Sequence, residues 1–178
     1  MTRLFKMLIV FIFCLGLATV ANAEEQLAEN LKALKPFIGK TWKGEFKSST
    51  PEKPVFDVAK WERALNGQAV RVLHSINNGE YGGESLIFWD KAKNSLAYYY
   101  FTTGGFFTNG TMSLENAKYT SDEYVTGSSD GITEVKATGE ITPDGKMITK
   151  SEYLKSGKWV DGHEAVYIAD PKAQVIFK

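Results

Sequence analysis

The chain is poor in the residues that usually announce chemistry. It has one cysteine in 178 residues, Cys14, and that lies in an apolar N-terminal run. Beyond that run there is no thiol, which excludes disulfide staples, cysteine nucleophiles and thiolate metal sites. Arginine occurs only at 3, 63 and 71, and histidine only at 74 and 163. Lysine plus arginine balances aspartate plus glutamate, 21 against 21, with no basic stripe, which argues against a nucleic-acid partner. The five prolines fall where loops are expected, two of them in Ser48-Ser49-Thr50-Pro51-Glu52-Lys53-Pro54. Nucleophile-elbow, phosphate-loop and zinc motifs are absent, so the reading leans away from an enzyme.

The N-terminus reads as an export signal. Arg3 and Lys6 precede the apolar stretch Met7–Val20, and Ala21-Asn22-Ala23 is a small-residue cleavage site. The apolar run is short for a membrane span, and the polar Glu24-Glu25-Gln26 follows at once. Phe13 before Cys14 does not fit a lipoprotein signal, which places small residues there. The expectation is a leader over 1–23 and one domain over 24–178, slightly acidic and without a transmembrane segment, in the periplasm or outside the cell.

Past the leader, turns dominate. Glu24 to Lys35 is the one helical pattern, with Leu27, Leu31 and Leu34 on an α-helical stripe and Pro36 and Gly39 ending it. From Thr41 onward only strands are expected: 41–47, 55–65, 68–77, 80–90, 95–103, 106–114, 117–127, 132–142, 146–155 and 158–169. The connections are short and carry Gly, Asn, Asp or Pro, as in Asn66-Gly67, Asn78-Gly79 and Pro143-Asp144-Gly145. None leaves room for a crossover helix, so the strands are antiparallel neighbours. Ten of them in a row expose two edges unless the sheet closes. The fold expected is all-β: an up-and-down antiparallel barrel of about ten strands with one short N-terminal helix.

The Asn-Gly turns also set a register. Arg63 faces Val70, Glu62 faces Arg71, Trp61 faces Val72 and Ala59 faces His74. One face then carries Trp61, Arg63, Leu65, Val70, Val72, His74 and Ile76, and the other pairs Glu62 with Arg71 outside. The second turn adds Tyr81, Gly83, Ser85, Ile87 and Trp89 to the inner face. A four-residue connection after Asp90 turns Leu96, Tyr98 and Tyr100 inward and Tyr99 and Phe101 outward; a three-residue one exchanges the sets. Both faces are apolar there, so the helix or a second subunit is expected to cover the outside. Further on, Thr133, Val135, Ala137 and Ile141 alternate with polar neighbours.

An interior lined by Trp, Tyr, His and Arg resembles a ligand cavity more than a hydrocarbon core. The candidate ligand-binding residues are Trp61, Arg63, His74, Tyr98 and Tyr100. Arg63 would offer its fork to an anionic head group or reach solvent at the rim. The ligand expected is a small apolar or amphipathic molecule, with no cofactor and no metal. The alternative is an interaction module that dimerises through its outer aromatic face.

Phe37-Ile38-Gly39-Lys40-Thr41-Trp42-Lys43-Gly44-Glu45-Phe46 resembles the opening of the lipocalin-like (calycin) barrels, in which a short helix precedes Gly-x-Trp and the tryptophan plugs one end. Leu65-Asn66-Gly67-Gln68, Glu80-Tyr81-Gly82-Gly83-Glu84, Leu86-Ile87-Phe88-Trp89-Asp90 and Asp144-Gly145-Lys146 resemble an uncharacterised bacterial lipocalin-like family of ten-stranded barrels. The spacing here is one residue longer than Gly-x-Trp, and no arginine follows Arg71 to pack on Trp42 as lipocalins do. Nitrobindin-like barrels are similar at this opening and bind haem through a late-strand histidine. That resemblance implies His163 for a haem alternative.

Overall fold

The computed structural model describes residues 26–178; the leader reading over 1–23 lies outside them. Ten strands follow one 3₁₀ helix: β1 Lys40–Phe46, β2 Phe56–Ala64, β3 Ala69–Ile76, β4 Tyr81–Asp90, β5 Ser95–Thr102, β6 Phe107–Glu115, β7 Lys118–Thr126, β8 Ile132–Ile141, β9 Met147–Lys155 and β10 Lys158–Ala169. Every strand pairs antiparallel with its sequence neighbour, and β1 closes on β10. Closure satisfies both edges at once, which removes the pairing hazard of an open meander.

The β2–β3 register is the expected one, from Ala59 opposite His74 to Arg63 opposite Val70. The turn is longer than a bare Asn-Gly hairpin, because pairing ends at Ala64 opposite Ala69. Leu65 and Asn66 both adopt left-handed backbone (φ 48° and 54°), and Gln68 N–H closes onto the Leu65 carbonyl at 3.0 Å. This takes Leu65 off the inner face and leaves it 66% exposed, a correction to its expected burial. Outside, Arg71 meets Glu62 at 3.3 Å and also forks onto Glu84 at 2.8 and 3.1 Å. Lys91–Asn94 makes a four-residue connection, with Asp90 opposite Ser95. Tyr98 therefore turns in, while Tyr99 and Phe101 are exposed.

Two bulges shift later registers. One lies between Ile132 and Glu134 and places Ile132, rather than the expected Thr133, against the interior. The other lies between Asp161 and Glu164 on β10. There the Ser151 hydroxyl accepts from His163 N–H at 2.8 Å, holding the irregular backbone.

The helix departs most from expectation. It runs Glu29–Phe37 as a 3₁₀ helix with Pro36 inside it, not an α-helix over 24–35. At three residues per turn, Leu31, Leu34 and Phe37 fall on one face, and all three are fully buried. It does not cover the outer aromatic face. It plugs one barrel end, its start tied by Ala28 N–H to the Gly67 carbonyl at 2.9 Å. Phe37 packs under Trp61 and Tyr119, with ring centres 5.2 and 5.7 Å away. Trp42, fully buried, donates its indole N–H to the Phe37 carbonyl at 3.1 Å. Lys40 Nζ lies 5.1 Å over the Trp42 ring, a cation contributed from the same strand.

The C-terminal segment covers a different part of the exterior. Ile176 N–H donates to the Ser75 hydroxyl at 3.0 Å, which buries an outward-facing serine.

Candidate functional site: a half-filled barrel

Plugging one end leaves the other hollow. A cavity of about 680 Å³ occupies the barrel between the plug and the connections at 103–106 and 127–131. Trp61 and Tyr119 contribute to its wall directly above Phe37, and Tyr81, Phe106, Ser128 and Asp130 line it towards the other end.

Its polar groups form two sets. The first is a closed chain. Tyr167 donates its hydroxyl to Asp57 Oδ2 at 2.9 Å, and His74 Nδ1 lies 2.9 Å from Asp57 Oδ1. His74 Nε2 lies 2.7 Å from the Tyr100 hydroxyl, which is 3.0 Å from the Tyr81 hydroxyl. A carboxylate only accepts, so the His74 Nδ1 hydrogen points at Asp57. Two glycines make this chain reachable. Gly44 on β1 stands opposite both Asp57 and Tyr167, and a Cβ there would overlap the Tyr167 ring. Tyr167 thus crosses a whole strand to reach Asp57. Gly83 on β4 does the same for Tyr100, whose ring crosses it to His74 on β3. Burial pushes the Tyr81, Tyr100 and Tyr167 hydroxyls well into their neutral form.

The second set is incomplete. Glu123 on β7 lines the cavity and accepts a short hydrogen bond from the Thr108 hydroxyl to Oε2. Part of Glu123 stays accessible, but it opens into the cavity. Burial raises its carboxyl above the usual range, against the opposing pull of the Thr108 and Tyr98 hydroxyls. The buried Tyr98 hydroxyl beside it has no hydrogen-bond partner among the described residues.

Of the residues singled out from sequence, Trp61, His74 and Tyr100 line the cavity. Tyr98 is buried but lies outside the cavity lining. Arg63 also lies outside it: the plug occupies that end, and Arg63 Nε donates to the Gln26 carbonyl at 3.1 Å. His163, which alternation from Tyr167 and Ala165 points inward, lines the cavity with its ring 4.7 Å from Phe46 and 5.6 Å from Tyr153. Burial lowers its pKa, favouring the neutral imidazole. Sequence reasoning missed Asp57 and Glu123. Asp57 was within reach, being two and four residues from Ala59 and Trp61 on the same face. Glu123 was not, because β7 alternates polar residues on both faces. Among the described residues, no group of three or more His, Asp or Glu is placed to hold a metal ion.

What the fold and the hollow define is a closed ten-stranded antiparallel barrel with an internal cavity. The same architecture appears in a solved structure, Rv2717c from M. tuberculosis. It superposes with a TM-score of 0.62 over 82% of this chain and 99% of that one, at 13% sequence identity. That likeness is one of fold. No protein-family model matches the chain. No curated protein matches it in sequence.

Proposed function

We propose that this chain is an exported, lipocalin-like barrel that binds a small apolar or amphipathic molecule in its interior and is not an enzyme. The observation that carries the reading is the cavity. At about 680 Å³ it is within the ~300–1,000 Å³ range typical of small-molecule sites, with mainly aromatic and aliphatic walls and a few placed polar groups. Trp61, His74 and Tyr100 are its candidate contacts; Arg63 and Tyr98 act only if the walls move. Native mass spectrometry of the purified protein, with thermal shifts across a panel of lipids and aromatic amphipaths, tests the reading. Bound adducts or stabilisation are expected. Ala137→Phe, which pushes a ring into the lining, should weaken binding at least about tenfold, roughly 1.4 kcal/mol. A clean apo mass with no shift anywhere in the panel overturns it.

One observation favours a second reading, a haem barrel. His163 faces the cavity, and its ring nitrogens make no hydrogen bond among the described residues. A neutral imidazole of this kind fits axial ligation. Haem titrated into the protein should then give a Soret band that His163→Ala abolishes; an identical spectrum in both excludes the reading.

A further inference from the structure

The two polar sets in the cavity differ in what they leave unspent. Asp57 has both oxygens engaged, Oδ1 with His74 and Oδ2 with Tyr167. Glu123 has Oε2 on Thr108, while no hydrogen bond of normal geometry reaches Oε1 from the described residues; the Tyr98 hydroxyl stands beside the carboxylate without closing one. No ion pair among the described residues includes Glu123. Lys150 is the one Lys or Arg of the lining, and it is exposed, between Thr149 and Ser151. A carboxylate held in an apolar hollow without a cation is costly, and that cost is relieved by protonation or by a cation brought from outside.

We propose that the cavity selects a cationic amphipath: a primary or secondary amine whose ammonium sits on Glu123 Oε1 and whose apolar body lies against Trp61 and Tyr119. The inference rests on the reading of the barrel as a small-molecule binder and names the charge of its ligand. It reverses the preference that an inward Arg63 would have implied, because Arg63 is spent on the Gln26 carbonyl outside the cavity. An ammonium placed there gains a charge-assisted hydrogen bond in a site of low dielectric. An anionic ligand would meet Glu123 and Asp57 with no inward Lys or Arg to answer it. Tyr98 and Tyr100 from β5, Tyr119 from β7, Tyr81 from β4 and Tyr153 from β9 surround Glu123 and are held neutral by burial; Asp57 on β2, His74 on β3, Asp130 in the 127–131 connection, Lys150 on β9 and His163 on β10 line the same hollow.

The test is a matched series on one naphthalene body: 2-(1-naphthyl)ethylamine, 2-(1-naphthyl)ethanol and 1-naphthylacetate, titrated calorimetrically into the whole protein. The amine should bind at least about tenfold more tightly than the acetate. Glu123→Gln should cost the amine at least about tenfold and leave the alcohol within about threefold. Should that variant fold poorly, the pH profile of the His163→Ala protein decides, since His163 titrates in the same hollow. Amine affinity should rise as pH climbs above 4.5, the ordinary carboxyl value, while alcohol affinity stays flat. Equal or tighter binding of the alcohol or acetate, or an amine profile flat in pH, overturns the selectivity while leaving the barrel a binder. No binding or thermal shift with any of the three overturns the selectivity. If the wider lipid and amphipath panel is also silent, the binding reading falls with it.

Discussion

The two ends of the barrel are built from the same ten strands and packed to opposite purposes. At one end Leu31, Leu34, Phe37 and Trp42 are fully buried and tied by an indole hydrogen bond. At the other, Tyr81, Phe106, Ser128 and Asp130 line a hollow. The strands do not cause the difference, since both ends alternate in the same way. It comes from a short N-terminal segment that fills one mouth. Stability is thereby concentrated at the plug, and the remaining interior is free to carry polar groups that a packed core would exclude.

The sharpest break of that comparison is at the plug. Trp42→Ala should cost about 3–5 kcal/mol in denaturant unfolding, because it opens a void where nothing can collapse inward without losing the helix. A loss below about 1 kcal/mol would mean that the plug is not the stable end. Next comes the wall of the hollow. Gly83→Ala places a methyl against the Phe101 carbonyl and into the Tyr100 ring and should cost at least about 1–3 kcal/mol by overpacking, with His74 losing its tyrosine partner. NMR of the His74 imidazole nitrogens would show that partner change; an unchanged spectrum would contradict the crossing.

A smaller effect separates the hollow end through pH. Burial raises the folded-state pKa of Glu123 above 4.5, so the folded protein keeps a proton that the unfolded chain releases. Stability from this group is therefore lost as pH rises from 4.5 through the folded value. Glu123→Gln removes that loss, and its stability relative to wild type should grow across the window and level above it. His163 works in the opposite sense: its depressed pKa protects stability above 6.5 and loses it as pH falls below. His163 is present in both proteins, so the difference between them isolates Glu123. A difference constant in pH would place Glu123 in a solvated site.

The smallest effect lies outside. Phe88, Tyr99, Phe101 and Phe107 form a ladder of rings 6.1–6.4 Å apart on the outer face. Phe101→Glu should change unfolding by less than about 0.5 kcal/mol, because Phe101 already stands more than half exposed. Light scattering on both proteins reads whether this face joins two copies. A dimer that falls to a monomer on substitution would make it an interface, and an unchanged monomer would leave it a bare surface.

The fold was legible from turn chemistry and alternation, and the boundaries of nearly all the strands follow from them within a residue or two. The inner placement of Trp61 and His74 and the outer pairing of Glu62 with Arg71 follow from the Asn-Gly turns alone. The helix was less legible, because Leu27, Leu31 and Leu34 fit an α-helical stripe as readily as Leu31, Leu34 and Phe37 fit a three-residue one. Only the space at the barrel mouth chose between them. Thr133 sits at a bulge, where one extra residue overrides a count that is otherwise sound.

Local pattern by itself determined which strands pair, in what register, and which side chains share a face, because each of these depends on neighbours joined by a short turn. Tertiary structure alone decided what meets inside. Asp57 and Tyr167 lie 110 residues apart and join only because β10 closes onto β1 and Gly44 lets a ring cross between them. Glu123 makes no ion pair among the described residues, and Arg63 is held at the plug end by the Gln26 carbonyl. Contacts of this kind depend on closure, curvature and the filling of the lumen, which no stretch of the chain encodes on its own.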